Sequence, residues 1–232
     1  MSDFRFLHDR IQQAAYSLIP EAHRAEVHVR LGRLLRARLA ADELTEELFD
    51  VANQFARGAA LLVDRSEKAD VAALNLRAGR RAKAAAAYAS ARAYFASGIA
   101  LLDEEDWESR HELTFSLWLE RAECEVLSGD LEKAEQVIGE LLQRTVSNVE
   151  FSDAACLKVQ LHVLKGEFPK AVDSALTCLR RFGLELPAQP TWEQVQAEYE
   201  TVWHTLSGSP IESLIDLPLM SDPELQAASC SR

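Results

Sequence analysis

Apolar positions recur at steps of three and four along most of the chain, the periodicity of helices that bury one face. Leu44, Leu48, Val51, Phe55, Ala59 and Leu62 make one such stripe and predict a helix from about residue 43. Val27, Leu31, Leu34 and Leu35 make another, on a helix that follows Pro20. An earlier helix is expected over about 8–18, because Pro20 removes a backbone donor and disfavours helix at Ile19. Ahead of it, Phe4-Arg5-Phe6 alternates apolar and polar, as in an orphan edge strand or an extended lead-in to that helix. No apolar run approaches about 18 residues, so no membrane span is predicted.

From about residue 67 the pattern repeats. Gly129-Asp130-Leu131-Glu132-Lys133-Ala134 and Gly166-Glu167-Phe168-Pro169-Lys170-Ala171 share the order glycine, acid, apolar, any residue, lysine, alanine, 37 residues apart. Glycine supplies the positive φ that ends one helix, and the acid suits the positive N-terminal end of the next. Pro169 falls in a first turn, where its missing N–H costs nothing. Each unit therefore reads as a helix–turn–helix hairpin. The spacings resemble the tetratricopeptide repeat: Gly79, Ala91, Phe95 and Gly98 match in the first unit, and Trp118, Ala122, Gly129 and Ala134 in the second, with Ile138 in place of the aromatic. The third keeps Gly166 and Ala171, with Ala175 and Cys178 behind them. Ala91, Ala134 and Ala171 step by 43 and then 37 residues, against about 34 in that family, so the connections are longer. The fold expected is all-α, a tetratricopeptide-like α-solenoid.

Beyond residue 186 the composition shifts, with Pro187, Pro190, Pro210, Pro218 and Pro223. Thr191 and Gln194 make a capping-box pattern that opens a helix through about Leu206. Ile211, Leu214, Ile215 and Leu217 suggest a short apolar turn, and Ser221-Asp222-Pro223-Glu224 is another helix start. Both ends of the chain read as cuts in a longer protein.

Charge divides unevenly: residues 1–100 carry 15 Lys and Arg against 12 Asp and Glu, whereas residues 101–232 carry 10 against 25. An acidic half of this size argues against a nucleic-acid groove. Cys124, Cys156, Cys178 and Cys230 lie far apart with no CxxC pair, as in a cytoplasmic protein with reduced thiols. The first residues lack the pattern of a signal peptide.

No glycine-rich phosphate loop is present, and the six histidines include no HxxxH or HExxH pair, so neither a nucleotide nor a metal is expected in this segment. His8 and Asp9 are adjacent and diverge by about 100° on a helix, so they do not form a catalytic pair. The run Asp103-Glu104-Glu105-Asp106 reads as a solvated loop. One cluster invites a functional reading. Arg77, Arg80, Arg81 and Lys83 fall on the first repeat's leading helix, where they are placed to hold an acidic peptide or the acidic surface of an adjoining domain. A solvated basic face is the alternative.

A further resemblance rests on longer stretches. Residues 4–20, Phe4 through Pro20, look like the end of the winged-helix part of large bacterial signalling ATPases. Asn53-Gln54-Phe55-Ala56-Arg57-Gly58-Ala59, the stretch from Leu74 to Lys83 with Ala87-Tyr88, and the stretch from Ile211 to Met220 resemble the segment that follows in multidomain serine/threonine kinase–AAA ATPase–sensor histidine kinases. The resemblance implies a winged-helix remnant over 1–41, a connecting helix over 42–66, divergent repeats over 67–186 and a partial further repeat over 187–232. It also implies a non-catalytic relay between an upstream ATPase module and downstream sensor and histidine-kinase modules. ATP is then expected only in those other modules, and no catalytic residue carries over to this chain. A freestanding adaptor that grips a peptide in its groove is the alternative function.

Overall fold

The computed structural model describes residues 13–14, 16–38, 47–206, 215 and 219–229. The strand expected at 4–6, His8, Asp9, Leu44, Cys230 and the apolar stretch 211–217 apart from Ile215 lie outside those residues. Among the described residues the architecture is all-helical. The helices are α1 (Glu21–Arg38), α2 (Leu48–Arg57), α3 (Arg65–Ala84), α4 (Tyr88–Ile99), the single turn α5 (Asp106–Ser109), α6 (His111–Leu127), α7 (Leu131–Arg144), α8 (Asn148–Leu164), α9 (Phe168–Arg181), α10 (Trp192–Leu206) and α11 (Pro223–Ala228). The chain forms two compact units, Met1–Cys124 and Glu125–Arg232.

In the first unit, the α2 stripe buries as its period predicts: Leu48, Val51, Phe55 and Leu62 lie at 2% exposure or less. The helix nevertheless stops at Arg57 and gives way to a 3-10 turn over Ala59–Leu61. Gly58 marks the stop, since a methyl there would lie 2.3 Å from Val29 Cγ2 and 2.6 Å from the Ala25 carbonyl. The α1 stripe departs from expectation. Val27, Leu31 and Leu34 are exposed and Leu35 alone of the four packs against the core, whose buried face on α1 runs through His28, Val29 and Gly32. His28 tolerates burial because both ring nitrogens are engaged, by Tyr16 at 3.0 Å and Gln54 at 2.6 Å. Gly32 makes room for the Phe55 ring, 3.1 Å from where a methyl would sit.

The hairpin of α3 and α4 repeats that device. A methyl on Gly79 would meet the Phe95 ring at 2.3 Å, and one on Gly98 would meet Leu117 at 2.8 Å and the Ala72 carbonyl at 3.3 Å. Those pairings run in opposite directions along the two helices, so the hairpin is antiparallel. Ala91 and Phe95 are fully buried between them.

In the second unit, α7 buries Ala134, Val137, Ile138 and Leu141, α8 buries Ala154, Ala155, Leu157 and Leu161, and α9 buries Ala171 and Cys178. Helix α8 packs against both α7 and α9. Helix α10 starts at the reciprocal cap the sequence predicts: Gln194 N–H donates to Thr191 Oγ1 at 3.3 Å and Thr191 N–H to Gln194 Oε1 at 2.9 Å. It has no buried residue. The short α11, capped by Asp222, packs on α8, where the Ser152 hydroxyl donates to the Ala227 carbonyl at 2.8 Å.

One turn recurs along the chain. Ala86, Gly129 and Gly166 have φ of 56°, 77° and 72°. In each case the next residue's N–H reaches back five positions: Ala87 to Ala82, Asp130 to Glu125 and Glu167 to His162, at 2.9, 3.1 and 2.8 Å. This is a left-handed helix stop that satisfies the last carbonyls. Five residues after each turn residue stands a buried alanine, Ala91, Ala134 or Ala171.

Candidate functional site

The basic cluster on α3 is not one uncommitted patch. Arg80 Nε donates to Glu120 Oε1 at 2.6 Å, and Lys83 Nζ reaches Glu120 at 2.6 Å and Glu123 at 2.8 Å, both acids on α6. Arg81 lies with its guanidinium 5.6 Å from the centre of the Phe49 ring. Arg77 is exposed and has no ion-pair partner among the described residues. The four side chains thus divide between an interhelix contact, a ring contact and solvent.

The contact between α3 and α6 has a counterpart. On α1, Arg33 grips Glu67 with two nitrogens at 2.6 and 2.8 Å, and Arg36 reaches Asp70 at 2.9 Å. In both places two cations three residues apart face two acids three residues apart on a later helix. Three residues is one helical turn, so each set presents its charges on one side. Residue numbers rise together across each contact, 33 with 67 and 36 with 70, then 80 with 120 and 83 with 123, so the paired helices run parallel. Arg33 holds the Glu67 carboxyl below its ordinary range, against the opposing effect of burial. Burial works against the Lys83 ammonium, yet Glu120 and Glu123 outweigh it and raise its pKa.

The acidic run after α4 is exposed at Asp103, Glu104 and Glu105, as a solvated loop would be, but its last member is buried. Asp106 is 4% exposed. It accepts from the Asp103 N–H at 2.9 Å, from Arg110 at 2.6 Å and from Arg65 at 3.3 Å. Burial penalises its charge, but the Asp103 N–H and the Arg110 and Arg65 guanidinia prevail and hold the carboxyl below the usual range. Arg65 also binds Asp103 and Glu105 at 3.1 and 2.7 Å, so the start of α3 is pinned to the loop after α4. Adjacent acids signal repulsion in the sequence, and only the fold brings Arg65 to them.

The second unit holds a smaller polar group: His162 Nδ1 lies 2.8 Å from Glu167, which Lys170 also contacts at 2.8 Å. Lys170 and His162 together bring the Glu167 carboxyl down to about 2. Nearby, Lys165 binds Glu135 at 2.7 Å. These contacts tie α7, the end of α8 and the start of α9. No group of three or more His, Cys, Asp and Glu gathers into a metal-holding arrangement among the described residues. None of the described helices is long and apolar enough to cross a membrane.

Charges in this chain are arranged to hold helices in register, which suits a framework that makes contacts. No protein-family model and no solved structure matches the chain. In an alignment that covers 92% of its length it is 22% identical to the hybrid signal transduction histidine kinase G of Dictyostelium discoideum. The chain spans about 7% of that relative's length, a distant likeness to one segment of a signal-transduction protein.

Proposed function

We propose that this chain is a non-catalytic relay segment of a signal-transduction kinase, a divergent tetratricopeptide-like array between an upstream ATPase module and downstream sensor and histidine-kinase modules. The observation that carries this reading is the likeness to a histidine kinase over 92% of the chain. The fold supports it through the hairpins, the repeated left-handed turn and the paired charge contacts, because helices held in register move together. The N-terminal stretch then ends a winged-helix element, and the chain works in the cytoplasm with no cofactor of its own. Its partners are the neighbouring modules, with Arg77 the exposed cation of the α3 cluster that has no ion-pair partner among the described residues.

The test begins with the native protein. An antibody against residues 65–124 should capture a polypeptide far larger than 25.9 kDa. That product should take acid-labile phosphate from ATP. Within it, Arg80→Glu with Lys83→Glu should leave nucleotide hydrolysis in place and uncouple it from histidine phosphorylation. A native product of 25.9 kDa that takes up no phosphate overturns the proposal in favour of an adaptor. Unchanged coupling in the double variant overturns the relay role alone.

A further inference from the structure

The first unit carries an open cleft of about 360 Å³ bounded by α2 with its following turn, α3 and α4. The volume falls in the range of small-molecule sites. Its apolar floor is Phe55, Leu62 and Val71, each at 2% exposure or less. Ala60 and Ala100 stand exposed at its rim, and their methyl groups are too short to close it.

Three polar side chains line the same space: Lys68, Asn75 and Ser97. Lys68, Val71 and Asn75 are spaced at three and four residues on α3, so they share one face of that helix. Asn75 donates its amide to the Val71 carbonyl at 2.9 Å, and its Oδ1 is buried without a hydrogen-bond partner. Lys68 is half-buried, has no ion-pair partner among the described residues, and no acid is among the lining residues. In a chain that sets so many of its cations against carboxylates, a lysine lining an acid-free cleft of mixed polar and apolar surface leaves a place for an anion from outside.

We propose that this cleft binds a small amphiphilic anion, with a carboxylate or similar oxyanion on Lys68 Nζ and a short aliphatic body over Leu62, Val71 and Phe55. The Ser97 hydroxyl adds a donor or acceptor beside it. The site is independent of the relay reading, since it asks only that the first unit fold as described.

The experiment titrates the whole 232-residue chain, methyl-labelled for NMR, with hexanoate, hexanamide and hexylamine. Hexanoate should move the Leu62, Val71 and Leu101 methyl signals along a saturating curve. Hexanamide should need at least about tenfold higher concentration, a 1.4 kcal/mol difference, and hexylamine should not saturate. Lys68→Gln should erase the advantage of hexanoate over hexanamide in an otherwise unchanged spectrum. Ala60→Trp, which fills the cleft from its rim, should abolish the response to every probe. An equal response to the three probes, shifts scattered away from the cleft, or undiminished hexanoate binding by Lys68→Gln overturns the proposal.

Discussion

At single residues, the turn at Ala86 is the clearest case of a side chain working against its backbone. Its φ of 56° matches Gly129 and Gly166 at the equivalent turns, but a Cβ in that region costs about 1–2 kcal/mol. Ala86→Gly relieves the strain and loosens the unfolded chain, so a net gain of about 0.5–1 kcal/mol is expected. Urea unfolding checks it, and a less stable variant would overturn the assignment of the turn. Titration gives a second prediction at this scale. Glu167 has a folded pKa of about 2, below its unfolded value, so its contribution is present above the ordinary carboxylate range and lost as pH falls toward about 2. Asp106, also depressed, adds a loss of the same sign. Acid unfolding should therefore be shallower in Glu167→Gln than in the parent, and identical acid limbs would count against the contact with His162 and Lys170. Glycine announced the left-handed turns at Gly129 and Gly166 in the sequence. Ala86 was silent, because nothing about an alanine marks a conformation that its flanking hydrogen bonds impose.

Between elements, the paired contacts of α1 with α3 and of α3 with α6 act as two-rung ladders. Exposed pairs are each worth about 0.2–1 kcal/mol, so register rather than bulk stability is what they supply. Reversing one side, Arg80→Glu with Lys83→Glu, sets two acids against Glu120 and Glu123. A loss of about 1–2 kcal/mol is expected, from like-charge repulsion added to the lost pairs. Adding Glu120→Lys and Glu123→Lys should restore most of it, and the rescue should shrink in high salt. Additive losses in the fourfold variant would mean the ladder carries no coupling. The cations of this ladder were legible as a cluster, and their partners were not. Forty residues separate Arg80 from Glu120, and no periodicity within one helix shows which later helix lies alongside. The same limit explains α1. Apolar spacing alone selects Val27, Leu31, Leu34 and Leu35 as its inner face; the packing keeps Leu35 against the core and otherwise admits paired His28 and small Gly32. The α2 stripe and the Thr191 cap were readable because both depend on residues a turn or so apart.

Across the whole molecule, burial is uneven, and local opening should follow it. Helices α3 and α4 bury residues at 0% exposure, among them Ala72, Ala78, Ala91 and Phe95. Helix α10 buries none, and its Trp192, Tyr199 and Trp203 stand 78%, 58% and 46% exposed. An isolated helix of about 15 residues is marginal in water even with a good cap. Amides of α10 should therefore exchange with solvent through local fraying, orders of magnitude faster than those in the middle of α3 and α4, which need an opening close to global unfolding. Trp192→Ser should then change the unfolding free energy by less than about 0.5 kcal/mol, since that ring is 78% exposed. Ala91→Leu, by contrast, overpacks the α3–α4 contact and should cost about 1–3 kcal/mol. Hydrogen exchange read by mass spectrometry on the intact chain distinguishes the alternatives. Protection of α10 equal to that of α3 would mean that its aromatic side is held by contacts the described residues do not supply. A second copy of the chain would then be the first thing to look for, by repeating the exchange at tenfold dilution.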